Sequence, residues 1–316
     1  MEDHLKPTIV MKEWLERKDY EEIRDLQKLC CAADQTTLKL ELDYKLDKAE
    51  EKNLRSNTNS SSNSNTDASQ DQRTSISNEF MYYIQDKLIG YVGIGDFGGG
   101  SIEVNGMVHP DFRRKGIFRT LYALVKEEWT RRAVPKMLLL SDSLSASGLG
   151  FIRQTGAGYA HSEFEMYLRN PVDRSLSHGR VLLRQATNQD AWEIARQNAI
   201  YFNEEESEVE PIMPEEEAKC GMIIYLAEVD SQFIGKVHLE SHEGVGGIYG
   251  LGVLPEYRSQ GYGREILLKS IEKFQENKVG EIMLQVEIKN KNALTLYTSC
   301  GFETTSTMEY YEIVKE

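Results

Sequence analysis

VLPEYRSQGYG, Val253–Gly263, has a counterpart 145 residues earlier in VHPDFRRKGIF, Val108–Phe118. Val108, Pro110, Arg113 and Gly116 recur as Val253, Pro255, Arg258 and Gly261. The register holds outward without a gap, from Ile89-Gly90 against Ile234-Gly235 to Gly156 against Gly301. One offset shared by so many anchors marks an internal duplication. Upstream, Asp19, Glu22 and Ile23 match Asp190, Glu193 and Ile194 at an offset of 171, and the surplus of 26 over 145 is the length of Asn53–Asn78. That stretch is Ser, Asn, Thr and Gln with almost no apolar residue. It cannot offset its ordering entropy by burial, so it is expected to be a disordered surface insertion in the first copy.

The chain has 316 residues, 40% of them hydrophobic, which is enough for a core in each copy. A net charge of −14 argues against a nucleic-acid surface, which needs clustered Lys and Arg. The local cluster Arg113-Arg114-Lys115 suits a single phosphate group. Cys30, Cys31, Cys220 and Cys300 have neither zinc-site nor disulfide-framework spacing and read as reduced thiols. The acidic start, Met-Glu-Asp-His, is unlike a signal peptide, and no apolar run approaches the roughly 18 residues of a membrane span. A cytoplasmic protein that contacts no membrane is expected.

Each copy reads as a strand, an amphipathic helical region, a strand pair around the Ile-Gly step, and a strand ending at the proline. Arg-x-x-Gly then opens a helix: Leu121, Leu124, Val125 and Trp129 share one face in the first copy, and Ile266, Leu267, Ser270, Ile271 and Phe274 do in the second. Another strand, a short helix and a final strand pair follow, giving an α/β fold with a crossover in a mixed sheet. The copies are expected to divide near Asn170–Gly179, as modules 1–170 and 179–316.

Arg258-Ser259-Gln260-Gly261-Tyr262-Gly263 lies between a strand and a helix. Glycine permits the tight turn, and the first helical N–H groups have no internal partners, so the segment is a candidate diphosphate cradle. It lacks the Gly-Lys-Ser/Thr ending of a Walker loop and the placement of a dinucleotide fingerprint. A turn in which the glycines serve geometry alone would look the same. A second motif decides the matter: Asn290-x-x-Ala293-x-x-Leu296-Tyr297-x-x-x-Gly301-Phe302, one strand later.

Together the two motifs resemble those of the GCN5-related N-acetyltransferase (GNAT) superfamily, over about Val181–Ile313 and more weakly over Ile9–Leu168. The tandem arrangement is similar to that of mycothiol-synthase-like two-module members. The resemblance implies two tandem GNAT folds, each a mixed, mostly antiparallel twisted sheet flanked by helices. It also implies acetyl-CoA as acyl donor, without a metal. Arg258, Ser259, Gln260, Gly261, Tyr262 and Gly263 would hold the pyrophosphate. Leu251 and Val253 would offer backbone groups to pantetheine, Asn290 would add a side-chain contact, and Tyr297 would protonate the departing thiolate.

The first copy departs from the pattern. Phe118 stands where Gly263 does, Ser145 at the Asn position, Gly148 at the Ala position and Ile152 at the Tyr position. Isoleucine cannot donate a proton, so that module is expected to be degenerate, although its Arg-rich loop can still bind CoA. The strand Gly247–Val253 carries no Glu for a general base. His238, Glu240, His242 and Glu243 lie nearby, with His238 and Glu240 on one strand face. A solvated strand end or a water relay reads equally well there, and no second ligand cluster supports a metal site.

The acidic stretch Phe202–Lys219 (Glu204, Glu205, Glu206, Glu208, Glu210, Glu215, Glu216 and Glu217) would draw a cationic acceptor, or be a solvated loop. The expected activity is N-acetyl transfer to a primary amine of a small molecule. The alternatives are a protein α-amine or lysine as acceptor, or a non-catalytic acyl-CoA-binding protein. The oligomeric state is left open.

Overall fold

Runs of alternating apolar residues become strands, and runs spaced by three and four become helices. The computed structural model describes residues 6–59, 76–97, 100–170, 179–202, 205 and 209–315. Elements of the first copy are β1 (Thr8–Lys12), α1 (Arg17–Asp34), α2 (Leu42–Asn59), β2 (Glu79–Ile84), β3 (Lys87–Gly95), β4 (Ser101–Val108), α3 (Ile117–Arg131), β5 (Lys136–Asp142), α4 (Ala146–Ile152) and β6 (Gly158–Leu168). The second copy supplies β7 (Leu182–Gln185), α5 (Ala191–Phe202), α6 (Pro214–Lys219), β8 (Met222–Val229), β9 (Gln232–His242), β10 (Val245–Val253), α7 (Tyr262–Glu276), β11 (Glu281–Glu287), α8 (Lys291–Ser299) and β12 (Phe302–Val314).

The compact units do not coincide with the sequence copies. One unit comprises 1–162 with 306–316, and the other comprises 163–305. In the first, β1 to β5 pair in order, and the end of β12 adds antiparallel to β5 from Met308↔Asp142 to Val314↔Lys136. In the second, β7 to β11 pair in order, and the end of β6 adds antiparallel to β11 from Met283↔Tyr167 to Glu287↔Glu163. Each unit thus takes its last strand from the other copy. Among the described residues only β4–β5 and β10–β11 are parallel, so each sheet is mixed and mostly antiparallel.

Those parallel pairs separate early. β4 and β5 pair only to Val104↔Leu139, and β10 and β11 only to Ile248↔Leu284, although β4 runs on to Val108 and β10 to Val253. The divergence leaves a backbone edge open just ahead of each Arg-x-x-Gly loop.

Helix α7 closes the second core by burying Ile266, Leu267, Leu268, Ile271 and Phe274 against Val237, Leu239, Ile248 and Leu284. In the first unit α3 does the same with Leu121, Val125 and Trp129, while Leu124 is only partly buried. Burial of each such side chain contributes about 1.5–3 kcal/mol.

The Ser/Asn-rich stretch differs from expectation at both ends. Asn53–Asn59 continue α2, and Asn78 is tied in: its amide donates to the Glu13 carbonyl at 2.8 Å, and its Oδ1 accepts from Arg132 at 2.7 Å. Residues 60–75 lie outside the described residues. Composition set the expectation, but helix propagation from Leu42 and tertiary hydrogen bonds decide the ends.

Candidate active site

The chain enters α7 through the same backbone path by which it enters α3. Arg258 and Arg113 both have φ −67° and ψ 161°. Ser259 and Arg114 follow in the left-handed region at φ 60° and 65°, and Gly261 and Gly116 at 88° and 82°. Left-handed residues at alternate positions turn successive N–H groups to one side, making a concave anion cradle at the positive end of a helix. Gly261 caps α7 without a side-chain cap, so the first N–H groups of the helix remain available.

The side chains of the loop do less than the backbone. Arg258 donates from Nε to the Val253 carbonyl at 2.9 Å, holding the strand end against the loop. Gln260 turns back to the Glu256 carbonyl at 3.1 Å. Tyr262 packs its ring into the core and offers only its N–H. At Gly263 an added Cβ would lie 3.5 Å from Leu296 and 3.7 Å from Val253, so β10, α7 and α8 converge there.

Arg180, which the sequence reading missed, joins this loop. It donates to the Gln260 carbonyl at 2.9 Å, pairs with buried Glu265 at 3.3 Å, and lies 4.6 Å over the Tyr262 ring. Its place just ahead of β7, 80 residues from the loop, left no local signal.

Asn290 caps α8, its Oδ1 accepting from Ala293 N at 3.2 Å. Ser145 caps α4 in the same way, from Gly148 N at 3.1 Å. Tyr297 is buried in the second core, with Phe302 at 6.2 Å. Burial pushes its phenol up to about 12, so it stays protonated at neutral pH.

The general-base candidates separate. His238 and Glu240 lie on β9 at positions of one face. His238 is partly exposed, and its Nε2 lies 3.0 Å from the Nζ of fully buried Lys236. Desolvation of the ring where it packs against Gly250, with the nearby Lys236 charge, pushes the imidazole well below its ordinary range. Among the described residues no cluster of His, Cys, Asp and Glu could hold a metal. Of the acidic stretch, Glu215 bonds Asn188 and Glu216 pairs with Lys219, whereas Glu204, Glu206 and Glu208 lie outside the described residues. No described helix is long and apolar enough to cross a membrane.

The first unit has its own cleft of about 530 Å³ at the corresponding place, lined by Val108, Arg113, Gly116, Phe118, Ser145 and Ile152. Phe118 fills part of its floor against Phe151 at 4.7 Å. Arg113 is fixed there by Asp34 at 2.7 Å.

Residues 184–302 match the acetyltransferase (GNAT) family model. The whole chain is similar in fold to solved structures. A tandem GNAT protein from the clavulanic acid biosynthesis pathway superposes with a TM-score of 0.67 at 14% identity, over 98% of both chains. A GCN5-related N-acetyltransferase from Sphaerobacter thermophilus gives 0.66 at 17%, over 98% of this chain and 95% of that one. Among curated relatives, the mycothiol acetyltransferase of Renibacterium salmoninarum is 32% identical over 89 residues, 26% of each chain. The ribosomal protein bS18 alanine N-acetyltransferase of Escherichia coli is 35% identical over 65 residues, 20% of this chain and 44% of that one. The matches thus span about a quarter to under half the length of these relatives.

Proposed function

We propose that the second copy transfers an acetyl group from acetyl-CoA to a primary amine of a small molecule. The observation that carries this reading is the left-handed turn at Ser259–Gly261, opening α7 beside the end of β10 that no longer pairs with β11. The cradle and helix N-terminus would bind the diphosphate, and the β10 edge at Leu251–Val253 would pair with the pantetheine arm. A backbone N–H of that edge would stabilise the oxyanion. The amine attacks the thioester carbon directly. Tyr297 protonates the sulfur as the C–S bond breaks. The curated relatives include an enzyme named for a small molecule, mycothiol, which fits such an acceptor.

The first copy is assigned a coenzyme-binding cleft without transfer, because Ile152 stands at the acid position. Release of CoA thiol from acetyl-CoA with a panel of primary amines tests the activity. Calorimetric stoichiometry with CoA tests the number of sites. Amine-dependent thiol release is expected. Coenzyme binding with no amine-dependent release would replace the transferase by an acyl-CoA-binding protein.

A further inference from the structure

Lys236 is 2% exposed on β9 and, among the described residues, has no carboxylate partner. Its Nζ contacts His238 Nε2 at 3.0 Å and the Gly250 carbonyl at 3.4 Å, with the Tyr201 ring at 5.7 Å. An unpaired buried ammonium is costly, and a methionine of similar length would fill the place without a charge. The first copy shows the neutralised version. Tyr91 stands at the position of Lys236, 145 residues earlier, and donates to Glu79 at 2.5 Å, while Lys45 pairs with the same carboxylate at 3.0 Å.

The pair sits against the irregularity in β10, where the β9 register shifts between Tyr249 and Gly252. A Cβ at Gly250 would lie 3.2 Å from the His238 ring, and one at Gly252 would run into the Tyr201 ring. The divergence of β10 from β11 begins there. The remaining groups on this face are few: β8 offers Ile224 and Leu226, α5 offers Tyr201 hydrogen-bonded to Gln197, and Gln197 bonds Glu193. Tyr249 of β10 and Glu240 of β9 lie beside it, and Arg258, Glu193, Arg196 and Glu256 act on Tyr201.

We infer that His238 takes the proton of the acceptor ammonium and hands it to Lys236, the pair acting as the proton acceptor of the second copy. The inference rests on the transferase reading above. Above about pH 8, where Lys236 is the neutral amine, one proton leaves the ammonium for the imidazole, and the other ring nitrogen gives its proton to Lys236, which becomes the ammonium. The freed lone pair forms the C–N bond, and the C–S bond breaks. Tyr297 supplies the sulfur proton, the proton shed by the new amide restores the phenol, and Lys236 returns its own to solvent. Burial supports this order: it holds Lys236 down to about 8 and the imidazole far lower, so a proton on the pair resides on Lys236. Lys236 acts through His238 and is a positioning residue.

Nitrogen-15 NMR of the His238 imidazole in the full chain, with no acceptor present, reads the shared proton directly. A step near pH 8 is expected in the wild type and its loss in Lys236→Met, and a wild type without the step overturns the relay. With acetyl-CoA and the amine panel, Lys236→Met should lose about 10²-fold in kcat/KM together with the pH limb near 8. Retention of the wild-type pH profile overturns the inference. The variant should bind CoA as the wild type does and melt no lower at pH 7; a lower melting temperature would make Lys236 a structural tie instead. A wild type that shows the step but transfers to no amine overturns the transferase reading and, with it, the role given to the pair.

Discussion

Two buried side chains of the second copy carry opposite kinds of strain on their protons. Tyr297 is held protonated by burial, so its removal takes away a hydrogen donor and little packing. Tyr297→Phe should lower kcat about 10²-fold with CoA affinity unchanged, measured by steady-state kinetics and calorimetry. Lys236 is held towards the neutral amine. Its folded pKa of about 8 lies below the ordinary 10.5, so the unfolded chain binds the proton more tightly between those values. The penalty, roughly 3 kcal/mol, is in full force below pH 8 and fades as pH rises to about 10.5. Denaturant unfolding should therefore show the wild type gaining on Lys236→Met over that range. A constant difference would disprove the shift.

At the scale of elements, the loops that open α3 and α7 depend on glycine where φ is positive. Gly261→Val places a β-branched residue at φ 88° and should abolish CoA binding by the second copy while the far-ultraviolet circular dichroism stays near wild type. Helix α8 depends on its cap. Asn290→Ala should cost about 1 kcal/mol of stability in chemical unfolding, whatever it does to activity, because Ala293 N loses its acceptor. The helix faces, the strands and the loop were legible in the sequence because they repeat on periods of 3.6 and 2 and recur at one offset. Arg180 was not, because its contact with Gln260 and Glu265 spans 80 residues or more and follows no period. The Lys236 ammonium was not legible either. A lysine in a strand reads as solvent-facing until a helix bearing Tyr201 covers it.

Over the whole molecule, the last strand of each copy completes the sheet of the other unit. Tyr310, at the carboxy-terminal end, is 1% exposed, stacks on His161 at 4.2 Å and receives the Lys39 ammonium at 2.7 Å. Deletion of 306–316 should therefore expose the β5 edge and destabilise the first unit, read as faster proteolysis within 1–162. Cleavage confined to 163–305 would contradict the assignment of that strand.

The duplication, the two α/β modules and the loop that opens α7 followed from residue identity and spacing, because backbone turns and helix starts are local events. Strand partnership, the cleft beside the first loop, the guanidinium at the second and the covered amine next to an imidazole were settled only when distant segments packed. Burial and long-range pairing are properties of neighbours in space, and a linear order of residues does not contain them.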